Sequence, residues 1–178
     1  MKPYHLNDVF LTIGDQAITV ENEAKKNIGS IRQAIMPACE KGHAFSFTSQ
    51  DDFSVMMGIK KRGIRNFLVA TYFVQFNEKN YVLKDKIGNH LFYFCVTGNI
   101  EDKEIKVAEN WSGDVEVMID RTRIAIIKPG DIISKAILYM KDDIHESSPY
   151  FGISILMYFM YKIYKNESDF IEELLFDL

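Results

Sequence analysis

The fold of this chain depends on one stretch, Ser148-Pro149-Tyr150-Phe151-Gly152-Ile153-Ser154-Ile155-Leu156-Met157-Tyr158-Phe159-Met160-Tyr161-Lys162-Ile163-Tyr164. Ser148 is typical of a helix N-cap, and Pro149 suits the first helical turn, where an amide N–H would have no partner within the helix. From position 150 onward, apolar side chains cover every face of the predicted helix. Such a helix is stable only where no face meets water, so it belongs in a membrane or inside a large core.

The length of this apolar run favours a core over a membrane. It contains about 15 residues, from 150 to 164, whereas about 20 are needed to span the roughly 30 Å of hydrocarbon in a bilayer. We therefore predict a buried helix over residues 149–165. A tail-anchored membrane protein that uses 150–164 as its span is the alternative.

The sequence before residue 128 predicts strands. Short apolar or alternating segments are separated by Gly, Asn and Asp, as in strands joined by hairpins. Turns are predicted around Gly14, Gly63, Gly88 and Gly113, because glycine adopts a positive φ without steric cost. The predicted strands, about eleven in number, are Val9–Ile13, Ala17–Glu21, Ile28–Met36, Ala44–Thr48, Ser54–Lys60, Asn66–Phe76, Asn80–Lys84, His90–Thr97, Ile105–Glu109, Val115–Asp120 and Arg123–Ile127.

The segment after Pro129 has a different pattern. Apolar residues at 132, 133, 136, 137 and 140 recur at helical spacing behind Asp131, which is a suitable N-cap. This spacing predicts a short helix. Its β-branched residues leave a strand open as the alternative.

The many strands and the wholly apolar helix have one common explanation. Antiparallel strands can hide their edges by closing into a barrel, and a barrel of about a dozen strands is too wide for its own side chains to fill. The apolar helix would fill it. We therefore predict a mainly β fold with α (α+β), a closed antiparallel β-barrel of about 12 strands around a buried hydrophobic C-terminal helix. Residues 1–178 are expected to form a single domain, with the strands within about 7–127.

The final segment, over about 167–177, predicts a second and amphipathic helix. Its acidic residues form one face, and Phe170, Ile171, Leu174 and Leu175 recur at helical spacing. A terminal helix of this kind usually packs on its own domain, so we expect it to cap the mouth of the barrel. Docking of a partner is the alternative.

Composition and charge exclude several classes of protein. The 178 residues carry a formal net charge of -4, with 21 Lys and Arg against 25 Asp and Glu, so no nucleic-acid partner is expected. Cys39 and Cys95 form no CxxC pair, and the N-terminal segment lacks the apolar run of a secretion signal. We therefore expect a cytoplasmic location, with peripheral membrane association left open.

No motif in the chain predicts a reaction. The sequence lacks a G-x-S-x-G elbow, a Gly-rich phosphate loop and a G-x-G-x-x-G pattern. Cys39 and His43 flank Glu40, but no second donor pair with suitable spacing follows, so neither a metal site nor a cofactor is predicted. We expect a protein that is not an enzyme. A small-molecule carrier or an enzyme that uses the barrel interior is the alternative.

One dense basic cluster occurs, in the segment Lys60-Lys61-Arg62-Gly63-Ile64-Arg65. On a hairpin turn, the side chains of Lys60, Lys61, Arg62 and Arg65 would face a phosphate group or an anionic membrane surface. These four are the candidate lipid- or anion-binding residues. The alternative is an ordinary solvated turn, since turns between apolar strands are commonly charged.

Three segments carry a resemblance to a known family. They are Tyr81-Val82-Leu83-Lys84-Asp85-Lys86-Ile87-Gly88-Asn89-His90-Leu91, Trp111-Ser112-Gly113-Asp114-Val115-Glu116-Val117-Met118-Ile119 and Ser148-Pro149-Tyr150-Phe151. With the order of the predicted elements, they resemble the tubby C-terminal-like superfamily, which includes phospholipid scramblases and LURP-one-related proteins. The resemblance implies a twelve-stranded barrel around a central hydrophobic helix and, in tubby itself, a basic surface that binds phosphoinositides.

The resemblance does not extend to lipid scrambling. The calcium-binding, cysteine-rich and proline-rich segments of scramblases have no counterpart in this chain. The resemblance and the basic turn together lead us to expect a non-enzymatic binding or scaffold domain. Its expected partner is anionic phospholipid or a protein at a membrane surface, bound through Lys60, Lys61, Arg62 and Arg65.

Overall fold

The computed structural model describes residues 1–6, 17–61, 70–86, 93–130 and 136–176, with side chains described up to residue 167. Twelve strands and one helix make up this part of the chain. The strands are β1 (Lys2–Leu6), β2 (Ile18–Asn22), β3 (Asn27–Gln33), β4 (Cys39–Ser49), β5 (Ser54–Lys60), β6 (Thr71–Phe76), β7 (Lys79–Asp85), β8 (Cys95–Ile100), β9 (Lys103–Glu109), β10 (Val115–Ile119), β11 (Thr122–Lys128) and β12 (Ala136–Met140). The helix is α1 (Pro149–Phe176).

The strands form a closed barrel in which each strand pairs antiparallel with its neighbours along the chain. Closure is made by β1 and β12, whose register runs from Lys2 opposite Met140 to Leu6 opposite Ala136. Because every strand has a partner on both sides, this sheet leaves no free edge. The predicted closed antiparallel barrel is confirmed.

Helix α1 lies inside the barrel. Every side chain from Phe151 to Tyr161 is buried. The ring of Phe151 contacts Tyr4 of β1 at a centroid distance of 4.9 Å and Phe47 of β4 at 5.5 Å, so strands on different sides of the barrel touch the same turn of helix. The inward side chains of the strands and the apolar helix form one continuous core. The predicted buried helix is therefore confirmed.

The start of the helix is also as predicted. The amide of Phe151 donates a hydrogen bond to Ser148 Oγ at 3.2 Å, and the helix begins at Pro149. Within the buried section, Ser154 Oγ donates to the carbonyl oxygen of Tyr150 at 2.7 Å. Because of this bond, the fully buried hydroxyl has a hydrogen-bond partner within the helix itself and does not need a polar group on the barrel wall.

Two predictions about helices are wrong. The segment 136–140 is strand β12, with alternating burial, because this segment supplies the partner that closes the barrel against β1. The predicted break between helices at 149–165 and 167–177 is absent, since α1 runs without interruption to Phe176. The sequence from 161 to 176 contains neither Gly nor Pro, so nothing in the backbone ends the helix there.

The two ends of the barrel differ in their connections. The turn end comprises the turns at 23–26, 50–53, 77–78, 101–102 and 120–121 and the segment 141–148 that leads into α1. The loop end comprises the described parts of the other connections, 17, 34–38, 61, 70, 86, 93–94, 110–114 and 129–130. Helix α1 enters the barrel at the turn end and leaves it through the loop end, where Tyr161 contacts Glu109.

The turn end is built from tight hairpins. Residue pairs 77–78, 101–102 and 120–121 each have positive φ at both positions, the geometry of two-residue turns that match the twist of paired strands. Asn, Glu, Asp and Arg occupy these positions, and glycine occupies none of them.

The predicted turn at Gly113, at the loop end, is confirmed by its φ of +79°, while the predicted turns at Gly14, Gly63 and Gly88 lie outside the described residues.

Within the described residues, no helix combines the length and the apolar character that crossing a membrane requires.

Candidate functional site

Charge is distributed unevenly between the two ends of the barrel. Exposed carboxylates predominate over cations in the described turns of the turn end; they belong to Glu23, Asp51, Asp52, Glu78, Glu101, Asp102, Asp120, Asp142 and Asp143. At the loop end, exposed lysines stand at positions 60, 61 and 86. The described turns of the turn end are therefore acidic, whereas the loop end carries exposed lysines together with the acidic C-terminal part of α1, which leaves the barrel there.

Two of the four predicted anion-binding residues are placed at the loop end. Lys60 is the exposed last residue of β5 and its Nζ lies 5.9 Å from the centroid of the Phe73 ring. Lys61 follows it, and its amide donates a hydrogen bond to the carbonyl of Ala38 at 3.1 Å. This bond joins the start of the basic turn to the connection at 34–38. Arg62 and Arg65 lie outside the described residues.

Large apolar side chains are exposed at the same end. Ile35, in the connection that Lys61 contacts, is 94% exposed, and Trp111, in the loop between β9 and β10, is 93% exposed. Tyr93 is 39% exposed, and its ring meets that of Trp111 edge to face at a centroid distance of 5.7 Å. Ile35, Lys60, Lys61, Tyr93 and Trp111 are called the loop-end surface below.

The loop that carries Trp111 is ordered by hydrogen bonds. Asn110 Oδ1 accepts the amides of Ser112 at 2.9 Å and Asp114 at 3.1 Å. The amide of Gly113 donates to the carbonyl of Asn110 at 3.0 Å. With its flanking backbone held in this way, Trp111 projects into solvent from a preorganised turn rather than from a long, unsupported loop.

A buried carboxylate fixes the helix where it leaves the barrel. Glu109 Oε1 accepts hydrogen bonds from Tyr161 Oη at 2.9 Å and from Lys165 Nζ at 2.9 Å, and the Glu109 side chain is only 10% exposed. Burial, followed by the hydrogen bond to Glu109, raises the pKa of the Tyr161 hydroxyl well above its ordinary value. The loop end thus has a rigid centre, formed by α1, and a rim formed by the loop-end surface.

A second cluster lies at the loop end beside the emerging helix. Ligand atoms of Glu40, His43 and Glu167 all lie within 4.8 Å of one another, and His43 Nδ1 is 3.0 Å from Glu40 Oε2. The spacing of Cys39 and His43 in the sequence suggests a pair of metal ligands. In the structure Cys39 is buried, and its Sγ lies 4.0 Å from Met36 Sδ. Burial raises the pKa of the Cys39 thiol.

The turn end contains a small polar cavity of about 100 Å³. Ser147 Oγ donates to Asp51 Oδ2 at 2.7 Å and lies 3.2 Å from Ser49 Oγ, and Lys26 and Glu146 complete the polar lining. Both hydroxyls are engaged with each other and with a carboxylate, so neither is paired with an imidazole that could activate it. The cavity has room for several water molecules but is smaller than the roughly 300–1,000 Å³ of an ordinary ligand pocket.

Sequence reasoning missed Ile35 and Tyr93, and it noted Trp111 only as part of a resemblance. A signal existed for Trp111, because its neighbours Asn110, Ser112 and Gly113 predict a turn. Ile35 fell within the predicted strand Ile28–Met36, whereas β3 ends at Gln33. The exposure of Tyr93 depends on its contact with Trp111 and had no local signal.

Comparison with known proteins leaves the family open. No protein-family model, no curated protein and no solved structure matches the chain. The relation to the tubby C-terminal-like superfamily therefore stays a prediction, and function has to be argued from the loop end itself.

Proposed function

We propose that this protein is a non-enzymatic domain of tubby-like form that binds the surface of anionic phospholipid membranes. The observation that carries the proposal is the loop-end surface, where Ile35 and Trp111 are almost fully exposed at the same end as Lys60 and Lys61. A cytoplasmic location, where membrane leaflets are rich in anionic lipid, is part of the proposal.

The charges support binding in one orientation. Each Lys or Arg close to an anionic leaflet contributes about 1 kcal/mol, so a basic turn containing Lys60, Lys61, Arg62 and Arg65 supplies several kcal/mol. The carboxylates of the turn end are repelled by the same surface. The basic turn and the exposed lysines would therefore favour an approach with the loop end first, against the negative net charge of the chain and the acidic C-terminal part of α1 at the same end.

The apolar residues support contact with the interface itself. Trp and Tyr combine an apolar ring with a polar group and are favoured at the level of the lipid headgroups. Ile35, at the same end of the barrel, would bury its side chain at the same interface, at about 25 cal/mol for each Å² of apolar surface removed from water. The basic residues attract the domain to the membrane, and the exposed apolar side chains of the loop-end surface hold it there.

The alternative of a carrier or enzyme that uses the barrel interior finds no support in the described core. Helix α1 occupies the interior, and its side chains from Phe151 to Tyr161 are buried against the strands. A ligand of ordinary size would have to displace the helix.

The proposal is tested by flotation with two kinds of vesicle, phosphatidylcholine alone and phosphatidylcholine with phosphatidylserine. We expect flotation only with the anionic vesicles, weakening as salt is raised. Replacing Lys60, Lys61, Arg62 and Arg65 together by Ser should abolish it. The matched control is Lys25→Ser with Lys26→Ser, which removes exposed lysines from the turn end and should leave flotation unchanged.

Trp111 gives an independent readout, because it is the single tryptophan of the chain. Its exposure predicts the red-shifted emission of a solvated indole, and insertion among headgroups should shift that emission to the blue. Absence of any shift and of any flotation with anionic vesicles would refute the membrane proposal. Flotation that the fourfold Ser variant retains would refute the role of the basic turn.

A further inference from the structure

Glu40, His43 and Glu167 come from two elements that are far apart in the sequence. Glu40 and His43 belong to β4, and Glu167 belongs to the part of α1 that has left the barrel. The pairing of β4 with β5 is interrupted between Cys39 and Ala44, which forms a bulge. Gly42, with a φ of +85°, sits within it, and the bulge turns His43 toward Glu40.

These donors have the composition of a transition-metal site. An imidazole nitrogen with carboxylate oxygens suits Zn²⁺, which binds such atoms at about 2.0–2.2 Å in tetrahedral geometry. The ligand atoms already lie within 4.8 Å of one another, so small side-chain rotations would bring them around one ion. His43 is 32% exposed and Glu40 is 23% exposed, which leaves solvent access for a water molecule as the fourth ligand.

We propose that Glu40, His43 and Glu167 form a binding site for Zn²⁺, completed by water. Bound zinc links the bulge of β4 to α1 beyond the barrel mouth, and so fixes the direction in which the helix leaves the loop end. This site is independent of the membrane proposal, because it includes none of the residues of the loop-end surface.

The site is tested by calorimetric titration of the full chain with zinc chloride. We expect one ion per chain. His43→Asn, Glu40→Gln and Glu167→Gln should each weaken the affinity more than about 100-fold, beyond the range seen for outer-shell partners of metal ligands. His145→Asn is the matched control, since His145 is exposed at the turn end and should leave the affinity unchanged.

A structural readout accompanies the titration. Zinc should slow hydrogen exchange of the amides of residues 162–167 in the unmodified chain and leave it unchanged in His43→Asn. Circular dichroism shows whether each variant retains its fold. We expect that it does, because the side chains of Glu40, His43 and Glu167 are only partly buried. Failure of zinc to bind the unmodified chain, or equal binding by His43→Asn, would overturn the proposal.

Discussion

Tyr4 is a buried hydroxyl whose ionisation opposes the folded state. Burial, followed by the negative charge of Glu146 and a hydrogen bond to Glu146, raises its pKa to about 12. In the unfolded chain the pKa of a tyrosine is about 10. The contribution of Tyr4 to the free energy of unfolding is therefore complete below about pH 10 and is lost as the pH rises toward about 12, because only the unfolded chain releases the proton in that range.

Replacement of Tyr4 by Phe tests this assignment. The unmodified chain should lose stability as the pH is raised above 10, and Tyr4→Phe should make that decline shallower because one titrating group is gone. Urea unfolding at a series of pH values between 8 and about 11.5 measures the slope. Tyr139→Phe, at a half-buried position on β12, is the control. Equal slopes for the unmodified chain and Tyr4→Phe would contradict the expectation.

Single residues differed in how well the sequence revealed them. Ser148 acts as the N-cap that its place before Pro149 indicated, because capping depends only on local geometry. Lys60 and Lys61 are exposed at the end of β5, as a charged turn requires. The grouping of Glu40 and His43 with Glu167 had no signal in the sequence, since it depends on where α1 emerges from the barrel.

Among the elements, α1 lies close to the wall of the barrel at Gly152. A Cβ added there would lie 2.8 Å from Val55 Cγ2, 3.1 Å from Val55 Cβ and 3.2 Å from Phe47 Cδ1. Glycine is costly in a helix, by about 1 kcal/mol relative to Ala, so its presence here reflects the space available and not helix propensity. The absent side chain lets the first turns of α1 fit between β4 and β5.

We expect Gly152→Ala to lower the free energy of unfolding by about 1–3 kcal/mol, because overpacking outweighs the gain in helix propensity. In a Val55→Ala background the nearest contact disappears, and the same substitution should become less destabilising than in the unmodified chain. Urea unfolding of the two single variants and the double variant measures the coupling. Additive effects would show that the contact with Val55 does not limit the position.

Most strands could be predicted, and those that were missed share a cause. Strands such as β6 and β10 alternate strictly between buried and partly exposed positions, so period-two patterns reveal them. Sequence reasoning did not assign β1 and expected a helix in the place of β12. These two strands lie at opposite ends of the strand region and pair with each other to close the barrel. The sequence pattern within one strand contains no information about which distant strand it pairs with. The predicted strand Val9–Ile13 lies outside the described residues.

In the molecule as a whole, the helix is enclosed by a sheet without a free edge. Helix α1 cannot expose the amides of its buried section, residues 153–161, unless paired strands separate. We expect these amides to exchange with solvent only through global unfolding, with a free energy equal to that measured with urea. Native-state hydrogen exchange followed by mass spectrometry tests this. Faster exchange of 153–161 than of β9 and β10 would show that the helix can leave an intact barrel.

The order of the elements along the chain has a consequence for biosynthesis. The ribosome makes all twelve strands before it makes α1, so the wall of the barrel emerges before the side chains that fill it. Until Phe151 to Tyr161 leave the exit tunnel, the inward residues of the strands have only water or one another to contact. The nascent chain therefore presents apolar surface during synthesis, which favours aggregation and makes the chain a candidate for shelter by a chaperone. A chain released before residue 150 would be expected to aggregate rather than to form an empty barrel.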